Sequence, residues 1–476
     1  MSLGEKIEDA VEVSKSKFWG FQSLTVLFAA LLFSLFYLNR SDETIILLLT
    51  VILGLSYWGT LRGKFDITSI ILMAIGARLI SLLPLPLLSD DYFRFLWDGE
   101  LWLAGYHPLD FIPEESPSTF LSKSLFTPNN VNKELLANMN SSGYYTVYPP
   151  LSQLVFAFAA WMGDSIQEGV TWIKAVLVLG EIIVLSLLYD LDKHENKAGF
   201  VAYAILPLAI IELAGNVHFE GLAALGVLIS ILGFRQNKPW LSGFGLAFGI
   251  GVKLVPALVG PALLIAWLKK PKADQNRLQH DLNFISSILF LVSTLIFSAI
   301  FFIPFFVTAD LSGFGESLNL YFQKFEFNGS LYVLASALGE WYKGWNWIAV
   351  IGPSLSILSM LSILTLAFVR GWKKLDLATT LLFSFGIYIL CATTVHPWYA
   401  IYLVALAPLT TYKWPYLLGF TVFLSYLAYG TEDVVVPIWA TILEYGSVIG
   451  MLVYELNSQR FSSEHRPIGT TSRLRA

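Results

Sequence analysis

Residues 235–272 read RQNKPWLSGFGLAFGIGVKLVPALVGPALLIAWLKKPK. The apolar run within them, 239–267, is too long for one ordinary crossing of about 20 residues, and Lys253 and Pro256 interrupt it in the middle. Arg235 and Lys238 stand before it, and Lys269, Lys270 and Lys272 after it. Loops rich in Lys and Arg stay on the cytoplasmic side of a membrane, so both ends of the run belong there. The run therefore goes out and returns, as two short crossings or a re-entrant pair. Lys253 is expected near the outer leaflet.

The rest of the chain follows from that assignment. Apolar stretches near a bilayer's thickness lie at about 18–38, 44–61, 66–88, 168–190, 197–213, 217–234, 282–307, 345–370, 376–394, 398–412, 414–430 and 434–455. Residues 150–163 are too short to span comfortably and are expected as an interfacial or half-buried helix. In this topology 21 of the 30 lysines and arginines fall in cytoplasmic loops and termini, and six fall outside. The expectation is an all-α polytopic protein with about 12–14 crossings: a cytoplasmic N-terminus at 1–17, one membrane domain at 18–455, and a cytoplasmic tail at 456–476. Residues 89–149 and 308–344 are its large outer loops. The first apolar stretch has no small-residue cleavage site after it and reads as a helix that stays, not as a removable signal.

Composition narrows the function classes. Of 476 residues, 55% are hydrophobic and only 14% charged, where soluble domains carry about 25% charged residues. A soluble enzyme, a nucleic-acid binder and a disordered scaffold are excluded, and a net charge of −5 implies no polyanionic partner. The single cysteine, Cys391, permits neither an internal disulfide nor a thiolate metal cluster. Cytoplasmic loops are too short for a nucleotide-binding domain, and the glycines of Gly243–Gly251 lack the strand and lysine of a phosphate-binding loop.

Ionisable residues crowd the outer boundary. In Pro84-Leu-Pro-Leu-Leu-Ser-Asp-Asp-Tyr-Phe-Arg-Phe-Leu-Trp-Asp-Gly99, the pair Asp90–Asp91 directly follows an apolar span. Phe93, Leu96, Trp97, Leu101 and Leu103 then alternate at helical spacing with Arg94, Asp98 and Glu100, as in an amphipathic helix lying on the membrane plane. The pair also suits a plain helix cap.

Several motifs occur in a fixed order. They are Asp91-x-x-Arg94-x-x-Trp97-Asp98-Gly99, Gly105-Tyr-His-Pro108, Tyr148-Pro-Pro-Leu151, Gly215-Asn-Val-His-Phe-Glu220, Val252-Lys-Leu-Val-Pro256 and His396-Pro-Trp-Tyr399. This set resembles the GT-C superfamily of multi-spanning glycosyltransferases, and within it the polyprenol-phosphate-mannose-dependent mannosyltransferases. The resemblance extends over roughly 66–412. Many relatives carry Asp-x-Asp or Asp-Glu at the first loop. Here Ser89 precedes an adjacent pair, so either Asp90 or Asp91 can correspond to the family's catalytic aspartate, and register against Tyr92 and Arg94 favours Asp91.

The resemblance implies transfer of a hexose, mannose first, from a polyprenyl phosphate to a glycan or glycolipid hydroxyl at the outer face of the cytoplasmic membrane. An inverting displacement needs a general base and positive charge around the departing phosphate. Asp91, or Asp90 beside it, is the candidate base. Lys253, Arg94 and His396 are the candidate phosphate contacts, and His218, Glu220, Asn216, Tyr148, Asn328 and Tyr399 the candidate sugar or acceptor contacts. Competing readings stay open. Lys253 can snorkel to headgroups, Arg94 can be the polar face of its helix, and His396 with Trp398 and Tyr399 can anchor in the interface. His218, Glu220 and Asn216 can satisfy one another, and Asn328-Gly can mark a turn, although Asn328-Gly-Ser330 also matches a glycosylation acceptor. Arg78, Lys174 and Glu181 are intramembrane charges suited to inter-helix pairing or to function. No cofactor is required; Mg²⁺ or Mn²⁺ would have Asp90, Asp91, His218 and Glu220 to draw on, at a spacing that is not diagnostic. A lipid-linked sugar flippase or other transporter is the alternative class, but such proteins gather their ionisable residues at the bilayer midplane. For the transferase, Asp90, Asp91, His218, Lys253 and His396 are expected to meet at one cavity.

Overall fold

The computed structural model describes residues 20–464 except 64, 117–130, 195–196, 271–276, 311–312, 314, 316–324, 374–375 and 432. The expected N-terminal segment 1–17, residues 465–476 of the expected tail and parts of both outer loops lie outside the described residues.

Apolar runs become helices that stop at charges and prolines. The chain builds α1 (Gly20–Leu35), α2 (Glu43–Arg62) and α3 (Ile67–Ile80) before the first large loop, which holds α4 (Asp91–Leu103) and α5 (Val131–Asn138). Then come α6 (Pro150–Met162), α7 (Ile166–Leu191), α8 (Ala198–Ala204), α9 (Pro207–Gly215) and α10 (Glu220–Arg235). The long apolar run 239–267 forms α11 (Pro239–Val252) and α12 (Val255–Leu268), with the break at Lys253. The remainder is α13 (Arg277–Phe306), α14 (Ser330–Lys343), α15 (Ile348–Lys373), α16 (Leu377–Cys391), α17 (Pro397–Leu409), α18 (Trp414–Thr421) and α19 (Ile438–Glu464). The protein is an all-α polytopic membrane protein, and no named strand forms among the described residues.

The crossings are less uniform than expected. Four described helices are long and apolar enough to span (Glu43–Arg62, Ile166–Leu191, Leu282–Phe306 and Ile348–Arg370), with α8 and α9 together making a fifth. The predicted crossing 197–213 is bent by 47° between α8 and α9, where Pro207 removes a backbone donor, and it ends in a π-helical turn over Ile210–Gly215. The predicted stretch 66–88 stops being helical at Ile80, since Pro84 and Pro86 cannot continue a helix. The predicted 414–430 is an α-helix that tightens to 3₁₀ over Val422–Gly430. An unforeseen helix, α14, occupies the second outer loop and leaves Trp341 and Tyr342 exposed, as residues of an interfacial belt would be.

Intramembrane charges are paired or capped. Arg78 Nη2 lies 3.1 Å from Glu181 Oε2, both buried, and the Tyr203 hydroxyl donates to the same carboxylate. Lys174 donates to the Ser81 and Pro84 carbonyls at 2.7 and 2.6 Å, satisfying acceptors left open where α3 gives out. Both arrangements tie helices together, and neither reaches the cavity described below.

Loops that the basic residues assign to one side share one end of the bundle. Arg40 meets Asp90 and Lys253 meets Glu220 at one end, while Arg235 reaches Leu191 and the Lys413 amide reaches Glu455 at the other. Close packing of α10 on α11 sets how Lys253 is placed. At Gly226 an added Cβ would stand 2.5 Å from the Gly249 nitrogen and 2.6 Å from the Gly245 oxygen. Gly226→Ala should therefore push α11 off α10 and lower stability by about 1–3 kcal/mol. At Gly76, where nothing stands within 4 Å of an added Cβ, the same change should be neutral or stabilising by up to about 1 kcal/mol. Thermal unfolding of the two variants in detergent checks both.

Candidate active site

The end of the bundle that holds Lys253 encloses a cavity of about 260 Å³. Asp90, Asp91, Arg94, Tyr148, Lys253, His396 and Tyr399 line it, together with Arg40, Asn140, Trp398 and Tyr429. Residues separated by about 300 positions in the chain thus face one space.

The two aspartates differ sharply. Asp90 precedes α4 and is clamped: Arg40 Nη2 stands 2.6 Å from its Oδ2, and Asn140 donates to its Oδ1 at 2.7 Å. Asp91 opens α4, and its Oδ2 accepts from the Tyr148 hydroxyl at a long 3.5 Å. Among the described residues it has no ion pair within 4 Å. Burial, with the Asp90 charge beside it, pushes the Asp91 carboxyl up to about 6, against the opposing pull of Lys253.

Lys253 sits at the end of α11 in extended conformation, where the helix has broken. Its Nζ lies 2.9 Å from Glu220 Oε1 and 5.1 Å from the centre of the Tyr148 ring. Tyr148 therefore touches both Asp91 and Lys253. It arrives there because Pro149 and Pro150 start α6 directly after it, and because Ser152 Oγ donates to the Val252 carbonyl at 2.8 Å.

Below the lysine, the segment from Gly215 to Glu220 is irregular and strained. Val217 has φ of 58°, a left-handed conformation unfavourable for a β-branched residue. This turn carries His218 away from the π-helical turn and onto Trp398, ring centres 3.6 Å apart. Asn216 donates to Glu212, which also accepts from Tyr426 at 3.0 Å, so Asn216 supports the wall and does not face the cavity. His218 itself stands behind Trp398, with Glu212 Oε2 3.6 Å from its Nε2. The ring stack continues outward: His396 lies 4.4 Å from Trp398, and Phe327 lies 4.7 Å from His396. Burial, then the charge of Lys253, holds the His396 imidazole down to about 3, so it is neutral near pH 7 and can donate only as an uncharged ring.

Two candidates have other duties. Arg94 lines the cavity, but its Nε binds Asp98 at 2.8 Å and its Nη1 donates to the Ser141 and Tyr144 carbonyls. It first holds the 141–144 turn against α4; only its buried Nη2 lacks a partner. Asn328 does not reach the cavity. Its φ of 52° turns the side chain inward, where Nδ2 donates to Glu444 at 3.0 Å, so that neither acceptor contact nor glycosylation fits this buried amide.

Glu220 Oε2, His218 Nε2 and His396 Nδ1 are buried without hydrogen-bond partners. Of the three, only the His396 atom belongs to a residue that lines the cavity, where this open nitrogen suits a hydroxyl-rich or phosphate-bearing ligand. Glu220 is not among the lining residues, and neither is His218, which was expected there but is held behind Trp398 by the turn at Val217. A divalent cation fits less well. Asp90 and Glu220 are each already paired with a basic side chain, and no group of three or more His, Cys, Asp or Glu able to hold a metal occurs among the described residues. Arg40 and Trp398 were not among the sequence candidates. Arg40 carries a sequence signal, as one of few basic residues in outward loops; the sequence around Trp398 suits an interface anchor and gives no sign of the cavity.

Residues 145–397 match glycosyltransferase family 87, more than half of the chain. The chain belongs to glycosyltransferase family 87. The match spans Tyr148, His218, Glu220, Lys253 and His396, while Asp90 and Asp91 lie ahead of it. Neither the curated proteins nor the solved structures contain a match. As a member of family 87 the protein is a membrane glycosyltransferase, which uses a glycosyl donor and an acceptor.

The charge pattern can be read directly. Isotope-edited infrared titration should find the Asp91 carboxyl ionising near pH 6. In Asp90→Asn the midpoint should fall, because a neighbouring negative charge is gone and Arg40 is released. An unmoved midpoint would mean that the two aspartates are not coupled.

Proposed function

We propose that this family 87 enzyme transfers a hexose, mannose in the first instance, from a polyprenyl phosphate to a hydroxyl of a glycan or glycolipid. Asp91 acts as general base. The observation that carries the reading is the placement of Asp91 at the hydroxyl and Lys253 over the ring of Tyr148 in one cavity, with Asp90 clamped and Asp91 not.

The chemistry is a single in-line displacement. The acceptor oxygen forms its bond to the anomeric carbon while the bond from that carbon to the phosphate oxygen breaks. The acceptor proton passes to an Asp91 oxygen, and the bonding pair leaves with the lipid phosphate. A β-linked donor thereby gives an α product. Lys253 stabilises the charge that grows on the departing phosphate, and the neutral His396 and the free Nη2 of Arg94 offer hydrogen bonds beside it. Glu220, outside the lining, pairs with Lys253 and holds it at the cavity. Tyr399 and Tyr148 offer the sugar and acceptor contacts, while His218 backs Trp398 from outside the cavity. Every group this reaction needs comes from the chain, and no step passes through a metal.

The distribution of lysine and arginine supports a multi-pass protein of the cytoplasmic membrane with this cavity facing outward. The donor's tail then stays among lipids while its phosphate reaches Lys253.

Purified protein in nanodiscs, given radiolabelled polyprenyl-phosphate-mannose and a lipid extract, should form labelled glycolipid. Labelled donor moved across the bilayer without product would point to transport. Asp91→Asn should fold normally, bind donor, and lose about 10²–10⁴-fold in rate. Lys253→Ala should weaken donor binding as well as rate. Equal loss of donor affinity in both variants would remove Asp91 from the role of base. The wild-type rate should rise with pH through about 6 and then level, since only the ionised carboxylate accepts a proton.

A further inference from the structure

A second cavity, of about 860 Å³, opens at the other end of the bundle. The 14-residue helix α11 separates the two levels, with Lys253 at one end and Lys238 at the other, a rise of about 21 Å. Among the described residues this recess is lined by Lys193, Arg235, Lys269 and Arg370, with Asp376 as the carboxylate. His194 also faces it, already bonded through Nδ1 to Asp192 at 2.7 Å.

The arrangement is more than a basic surface. Arg370 is only 9% exposed, and its Nε is buried with no hydrogen-bond partner. Arg235 is held in place by donation from Nη1 to the Leu191 carbonyl at 2.5 Å, which fixes its guanidinium at the wall. The first turn of α16 also lines the recess, adding the positive end of a helix; Asp376 takes the Thr379 amide there at 3.2 Å. Among the described residues that line the recess, basic side chains outnumber carboxylates, and the buried, unpartnered Nε of Arg370 suits a ligand with more than one negative charge. Guanidinium forks match phosphate oxygens. Between the cations the wall is apolar, with Ile231, Phe234 and Leu409, which suits the glycerol and first methylenes below a lipid headgroup.

We propose that this recess binds a phosphate-bearing anion, in the first place the headgroup of an anionic phospholipid, at the end of the bundle remote from the transfer site. The proposal is independent of which sugar is transferred.

Native mass spectrometry of the protein released from nanodiscs of phosphatidylcholine with a minor fraction of cardiolipin tests it. Wild-type protein should retain cardiolipin in preference to phosphatidylcholine. Arg370→Gln should lower that retention about tenfold, as expected for loss of a charged hydrogen-bonding partner. Because Arg370 is buried, the exposed-side double variant Lys193→Gln/Lys269→Gln is measured in parallel and should show the same loss. Lys413→Gln, at the same end but outside this recess, should retain cardiolipin like wild type. Pyrophosphate added to the detergent-solubilised protein separates the two sources of phosphate. A rise in Tm that the double variant abolishes, without lipid retention, would assign the recess to a soluble phosphate. Equal retention of both lipids with no pyrophosphate effect, or a loss in Lys413→Gln matching that in the double variant, would overturn the proposal.

Discussion

A lysine ammonium inside an apolar bundle needs a counter-charge, and Glu220, 2.9 Å from Lys253, supplies it. A lysine set among apolar helices is costly unless it is paired, and the pair stands where two helices start and stop. α10 begins at Glu220, and α11 ends one residue before Lys253. The glycine contacts between these helices bring the two charges to the same level. Ser152 then attaches α6 to the broken end of α11, which delivers Tyr148 to the lysine and Asp91 to Tyr148.

The adjacent aspartates show how neighbours in sequence acquire different chemistry. A helix begins between them, so their side chains diverge. Asp90 turns to Arg40 and Asn140 and becomes a tie between the first loop and the α1–α2 connection. Asp91 stays in the cavity, where burial raises its proton affinity into a range useful near neutral pH. The tie also places a fixed negative charge next to Asp91, so the two roles depend on each other.

Much of the fold was legible because membrane helices announce themselves through length and flanking charge. The expected 44–61 and 168–190 became Glu43–Arg62 and Ile166–Leu191, and the reversal at Lys253 followed from basic residues on both sides of one long run. The bend between α8 and α9 was not legible: the surrounding sequence is uniformly apolar, and one proline does not say whether a helix kinks, ends or begins. Convergence of Asp91, Lys253 and His396 could be anticipated from their common side of the membrane. The partners could not. Arg40 and Asp90 are 50 residues apart and Asn328 and Glu444 116 apart, and such pairings depend on how helices pack, which periodicity does not encode. The burial of Asn328 shows the limit clearly, since Asn-Gly reads as an exposed turn unless a carboxylate from a distant helix lies beneath it.

The column of rings from Phe327 to His218 restricts how a pyranose can be recognised. Proteins often grip the apolar face of a sugar with the flat face of tryptophan. Here imidazoles cover both faces of Trp398, at 4.4 and 3.6 Å. Its indole can meet a substrate only edge-on. In the proposed transfer, grip must then come from hydrogen bonds to individual hydroxyls, with His396 Nδ1 among the atoms still open to make them. A site of that kind discriminates strongly between epimers, because a hydroxyl pointing the wrong way leaves a buried polar atom unsatisfied.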